Sequence, residues 1–131
     1  MKLNRIWATA ALAACLGTAA AAAQEHEHGH GHEPMHGGVV VEASDMDFEL
    51  VAKADAVTLY VRDHGKPAST QGASGKLTLL SGSDKTEATL SPAGDNRLAA
   101  QGSFKVGAGT KAVATVTLPG KKAVNVRFAL K

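Results

Sequence analysis

The sequence predicts an all-β fold, a single antiparallel β-sandwich of immunoglobulin-like size, on three observations. From Gly37 onward, apolar residues recur at every second position in short runs. That period places alternate side chains on one face of a strand. The runs are separated by clusters of Gly, Pro, Asp, Asn and Ser, which are turn residues. No segment after Gly37 shows a helical apolar stripe bounded by capping residues.

Val39 to Ala43 opens the body. Phe48, Leu50 and Ala52 then alternate with Glu49 and Val51, and Val57, Leu59 and Val61 with Thr58, Tyr60 and Arg62. Leu77 and Leu79 alternate with Lys76 and Thr78, and Ala88 and Leu90 with Glu87 and Thr89. Ala112, Ala114, Val116 and Leu118 share one side of a later run, and Val124, Val126, Phe128 and Leu130 one side of the last. Asp63-His64-Gly65-Lys66-Pro67, Ser81-Gly82-Ser83-Asp84, Ser91 to Asn96 and Leu118 to Lys121 read as turns, because Gly supplies positive φ and Pro fixes φ. The resulting roughly seven or eight short strands fit two packed antiparallel sheets. Ala68 to Ser74 and Arg97 to Gly109, rich in Gly and Ala, carry no assignable strand. Beyond residue 23 the only aromatics are Phe48, Tyr60, Phe104 and Phe128, so the core is expected to be light, with little material for a deep apolar pocket.

The start of the chain reads as an export signal over residues 1–23. Lys2 and Arg5 precede an apolar run from Ile6 to Ala23, and Ala21-Ala22-Ala23 supplies small residues for cleavage before Gln24. The run is Ala-rich and only marginally long for a membrane anchor. A periplasmic protein with no integral membrane segment in its mature form is therefore expected. Leu12-Ala13-Ala14-Cys15 has the shape of a lipoprotein box, which leaves lipid anchoring at Cys15 as the alternative. With the signal removed and Cys15 gone with it, neither disulfides nor thiolate metal sites are expected.

Charge is unevenly spread. From Gln24 to Ala52 there are seven acids and no Lys or Arg, whereas from Lys53 onward there are 12 basic residues and five acids. The basic residues are spread singly and exposed aromatics are scarce, so no nucleic-acid surface is expected. Three parts follow: the signal, a disordered His-rich arm over 24–36, and a β-domain over 37–131.

Five of the six histidines lie in the arm, in Gln24-Glu-His-Glu-His-Gly-His-Gly-His-Glu-Pro-Met-His36. Its composition points to binding of divalent transition-metal ions. His26, His28, His30 and His32 fall on one side of an extended chain, roughly 7 Å apart. Gly29 and Gly31 let two or three imidazoles converge. Neutral imidazole suits Zn, Cu, Ni and Co, Glu27 and Glu33 offer oxygens, and the Met35 thioether suits Cu(I). Cleavage before Gln24 also creates an amine with His26 in third position, a square-planar donor set for Cu(II) or Ni(II) unless Gln24 cyclises. His36, at the junction, and His64, in a turn beside Asp63, complete the candidate ligands. Met46, between Asp45 and Asp47, joins them if the first strands bring it near.

His36-Gly37-Gly38-Val39-Val40, Phe48-Glu49-Leu50-Val51, Leu59-Tyr60-Val61 and Asp63-His64-Gly65-Lys66-Pro67 resemble a small β-domain found in the N-terminal region of adaptor subunits of cobalt–zinc–cadmium-type heavy-metal efflux pumps. Gly72 to Leu77 and Pro92 to Leu98 extend the resemblance over nearly all of residues 24–131. It implies a metal-facing module beside an efflux complex, without the helical hairpin or lipoyl-like unit of a full adaptor. It also implies that metal reaches the domain at His36 and His64.

No Ser/His/Asp or Cys/His set and no phosphate-binding loop stands out, so an enzyme is not expected. The leading expectation is periplasmic metal binding or buffering in heavy-metal resistance or efflux. The other is a non-catalytic interaction module that docks on an envelope or efflux partner, with the arm only a tether. Because protons compete for imidazole nitrogen, metal held by this tract should be released as pH falls through about 6.5, an outcome read by titrating metal occupancy against pH.

Overall fold

A computed structural model describes residues 33–131 of the chain. Residues 1–32, on which the expected export signal (1–23) and most of the expected arm (24–36) fall, lie outside the described residues. Nine strands follow in chain order: β1 (Val39–Ala43), β2 (Met46–Ala52), β3 (Ala56–Asp63), β4 (Lys66–Pro67), β5 (Ser74–Ser81), β6 (Asp84–Pro92), β7 (Arg97–Gln101), β8 (Lys111–Thr117) and β9 (Val124–Ala129). There is no helix among the described residues, and none long and apolar enough to cross a membrane.

All pairings are antiparallel, in the order β1-β2-β3-β7-β6-β5-β8-β9, with the two-residue β4 on β3. β6 joins the halves. Leu90 and the residues before it pair with β5, while Ser91 and Pro92 pair with β7. The two ends of the path, β1 and β9, lie against each other, so the sheet is nearly closed into a barrel. Within it, β5, β6 and β7 are successive hairpin strands, and β8 returns to lie beside β5, a Greek-key arrangement.

The turns follow from their residues. Ser44 and Asp45, between β1 and β2, have φ of 51° and 63°, and His64 and Gly65, between β3 and β4, have 53° and 82°. Positive φ at both central residues matches the twist of a two-residue hairpin, and Asp, His and Gly tolerate it better than branched residues. The inward set is the one the period of two predicts. Phe48, Leu50, Val57, Leu59, Val61, Leu77, Leu79, Ala112, Ala114, Val116, Val126 and Phe128 are all buried.

The two unassigned stretches resolve differently. Residues 97–101 form β7, a central strand between β3 and β6 whose inward residues are only Leu98 and Ala100. Residues 68–73 form no strand; they carry the chain from β4 to β5. Thr70 pins this crossover. It is buried, its amide donates to the Asp95 carbonyl at 3.1 Å, and its hydroxyl reaches the Arg97 carbonyl at 2.9 Å. Residues 102–110 cross back, with the Phe104 amide donating to the Ala54 carbonyl at 2.8 Å and its ring buried.

Leu59 is fully buried at the centre of this core. Leu59→Ala is expected to cost about 2–5 kcal/mol, from lost transfer energy and an unfilled cavity, measured by urea unfolding.

Candidate metal centre

β2 is covered on both faces. Met46, Phe48 and Leu50 point into the core, yet Asp47 and Glu49 are buried as well. The cover of Glu49 is the segment just before β1, which folds back over the outer face of β2 and β3. Glu49 holds it there. One carboxylate oxygen accepts the Met35 amide at 2.9 Å, and the other accepts the amides of His36 at 2.8 Å and Gly38 at 2.9 Å. On β3, a terminal nitrogen of Arg62 donates to the Glu33 carbonyl at 2.9 Å and lies 4.0 Å from Glu49. Arg62 Nε, also buried, has no hydrogen-bond partner among the described residues.

The same rung of the β2–β3 ladder places His36. Tyr60 lies directly opposite Glu49. The His36 ring stacks on it with centroids 3.6 Å apart and planes 9° from parallel. Backbone and ring of His36 are thus fixed by neighbouring residues of one cross-strand pair. Asp47 faces Arg62 across one ladder and Glu42 across the other, which extends the charged row beside the root.

Both glycines of His36-Gly37-Gly38 are required by this path. Gly37 has φ +78°, the left-handed region that favours glycine. A Cβ on Gly38 would run into the Leu50 carbonyl, closer than any real contact. The segment therefore runs against the β2 backbone only because residue 38 has no side chain.

Burial alone would raise the Glu49 carboxyl pKa. The amide bonds from Met35, Gly38 and His36, with the charge of the His36 side chain, outweigh it and hold the group below its ordinary value of 4.5. The carboxylate is therefore the stable form, as three donors to one buried acid require.

Of the nine candidate ligands, His26, Glu27, His28, His30 and His32 lie outside the described residues. Glu33, Met35 and His36 sit in the clamped root, Met35 being 67 % exposed. His64 stands apart. It occupies the β3–β4 turn, 81 % exposed, with Nδ1 bonded to the Asp63 carboxylate. Met46 faces the core, on the side of β2 opposite to Glu49, and so does not join the root. Among the described residues no three His, Cys, Asp or Glu side chains gather into a group able to hold a metal ion. His36, with Met35 and Glu33 close to it in sequence, is the described part of the candidate tract. Glu49 and Arg62 were not foreseen as site residues. Their sequence signal is slight: a Glu and an Arg on the polar sides of two alternating runs.

An open cleft of about 550 Å³ lies at one end of the barrel among Met46, Asp63, Lys66, Pro67, Leu118 and Lys121. Its one acid, Asp63, is bonded to His64.

Comparison with protein-family models, curated proteins and solved structures finds no match.

Two outcomes follow for the root. Gly38→Ala forces the segment off β2 and is expected to destabilise the fold by about 1–3 kcal/mol, the usual range for overpacking, measured by urea unfolding. The Glu49 carboxyl titrates lower in the folded chain than in the unfolded one. Its contribution is therefore complete above about pH 4.5 and is lost as pH falls through the folded value. Glu49→Gln should flatten that acid limb in a stability-versus-pH series, and an unchanged limb would show that the clamp contributes nothing.

Proposed function

We propose that this protein binds divalent transition-metal ions through residues 24–36 and serves, without catalysis, as a periplasmic buffer or carrier in heavy-metal resistance or efflux. One observation carries the reading most. The histidine tract does not simply trail from the body: its last residues are tied down by a buried carboxylate, with the His36 imidazole stacked and exposed. A passive linker has no need of three amide bonds to one buried acid at its root. Four further imidazoles lie within ten residues of that fixed one, and imidazole with carboxylate is a donor set for Zn, Cu, Ni or Co.

The resemblance to the N-terminal β-domain of cobalt–zinc–cadmium efflux adaptors belongs to the same proposal, and it supplies the efflux context. So does the immunoglobulin-like sandwich. In that reading β1-β2-β3-β7 and β6-β5-β8-β9 are two layers facing each other over the shared core.

The test leaves the root intact, because removing residues 33–36 would uncover Glu49 and Arg62. His26, His28, His30 and His32 are changed together to Gln, and binding of Zn, Cu, Ni and Co is measured by calorimetry beside the metal tolerance of cells. Loss of sub-micromolar binding and of tolerance is expected. Unchanged stoichiometry, affinity and tolerance would overturn the reading and leave the tract a tether on a docking module.

A further inference from the structure

The clamp at the root restricts how an ion binds His36. The ring is exposed, one face rests on Tyr60, and no described residue makes a hydrogen bond to either ring nitrogen. Among the described residues nothing therefore blocks either ring nitrogen in the ring plane. In an unrestrained chain, Cu(II) or Ni(II) caught by a histidine imidazole goes on to bind the amide nitrogens of that histidine and of the residue before it, which completes the square plane these ions prefer. Each such metal–nitrogen bond replaces the amide hydrogen, which leaves to the buffer as a proton. At His36 both hydrogens are already committed. The Met35 amide donates to one oxygen of Glu49 at 2.9 Å and the His36 amide to the other at 2.8 Å. Metal at those nitrogens would break both bonds and leave a buried carboxylate with only the Gly38 amide and the more distant Arg62.

We propose that Glu49 makes His36 an imidazole-only ligand, so that the root accepts ions satisfied by imidazole and oxygen donors, Zn(II) and Co(II), and denies Cu(II) and Ni(II) the backbone nitrogens. The inference rests on the reading that ions reach the tract. It adds which class of ion the root favours, and it makes Glu49 a positioning residue that discriminates without touching metal. The remaining coordination positions would be open to water, since the described residues gather no three ligands of their own.

The test uses the full chain with His26, His28, His30, His32 and His64 changed to Gln, so that His36 is the one histidine left. Cu(II) is titrated in, and the same protein carrying His36→Gln is subtracted as a blank. Tyr60, the single tyrosine of the chain, reports arrival of the ion at the stack by quenching of its fluorescence. The expected result is quenching with a Cu(II) visible band at the long wavelength of imidazole and oxygen ligation. Glu49→Gln should move the band to shorter wavelength, the mark of amide nitrogen, and raise the preference for Cu(II) over Zn(II) at least tenfold. If that variant does not fold, urea supplies the contrast: melting the clamp in the Glu49 protein should produce the same shift. A short-wavelength band in the folded Glu49 protein, or no quenching of Tyr60, overturns the inference. The wider reading fails separately, if the protein with all six histidines takes up no ion by calorimetry.

Discussion

The geometry at the front of this molecule depends on one buried carboxylate. Glu49 is fully enclosed between the core strand that carries it and the segment that it binds. An ionised acid is tolerated in such a place only when its lone pairs are filled. Three amides fill them. The dependence runs both ways. Without the returning segment the acid would face water and clamp nothing, and without the acid the amides of Met35, His36 and Gly38 would lose their partner. Arg62, at 4.0 Å, is too far to be the main partner of Glu49 and acts mainly on the Glu33 carbonyl. The clamp is therefore a set of charge-assisted hydrogen bonds to backbone, stronger than neutral ones and blind to the side chains of the residues held. That leaves residues 35 and 36 free to carry a thioether and an imidazole.

The strands were legible because an inward-facing apolar residue at every second position leaves few other arrangements. The run over 124–130 and β9 agree nearly residue for residue. The period failed where inward side chains are small. β7 packs with Leu98 and Ala100, and Ala99 between them blurs the alternation, so a central strand reads as a Gly/Ala-rich loop. The crossover at 68–73 was opaque for another reason: it is held by the Thr70 hydroxyl and amide against carbonyls at 94–97, contacts that no local pattern encodes. Glu49 shows the same limit at the candidate site. Its place in an alternating run predicts a solvated side chain, and it is buried because a segment 11 to 14 residues upstream returns to it. His36-Gly37-Gly38 carries part of the sequence resemblance, but its physical meaning, a left-handed turn followed by contact with the Leu50 backbone, emerges only with β2 in place.

The charge split also takes on a different shape in three dimensions. Read along the chain, an acidic arm precedes a basic body. In the fold, four of the seven acids of that first stretch, Glu42, Asp45, Asp47 and Glu49, belong to the β1–β2 hairpin and not to the arm. The acidic region thus includes the surface on which the root lies, with Arg62 as the basic residue set against it. Negative potential beside the stacked imidazole raises the local concentration of cations whatever their identity, and salt screens it over roughly 8–10 Å. On the proposed reading, electrostatics would gather ions here and the donor atoms would select among them.

Fixing one imidazole changes what the others have to do. A chain of equally free histidines loses conformational entropy each time two of them close on an ion. With His36 already held, the second imidazole meets an ion anchored at a known place, and the closing loop is short. His32 is four residues away, a contour of at most roughly 14 Å. Short loops close at small entropic cost and give a high effective concentration of the second ligand. The cost of ordering the first ligand has been met during folding, by Glu49 and Tyr60, and not at the moment of capture. On the proposed metal-binding reading, a β-domain whose described residues gather no metal site of their own would still strengthen capture this way, and it would favour ion sets that include His36.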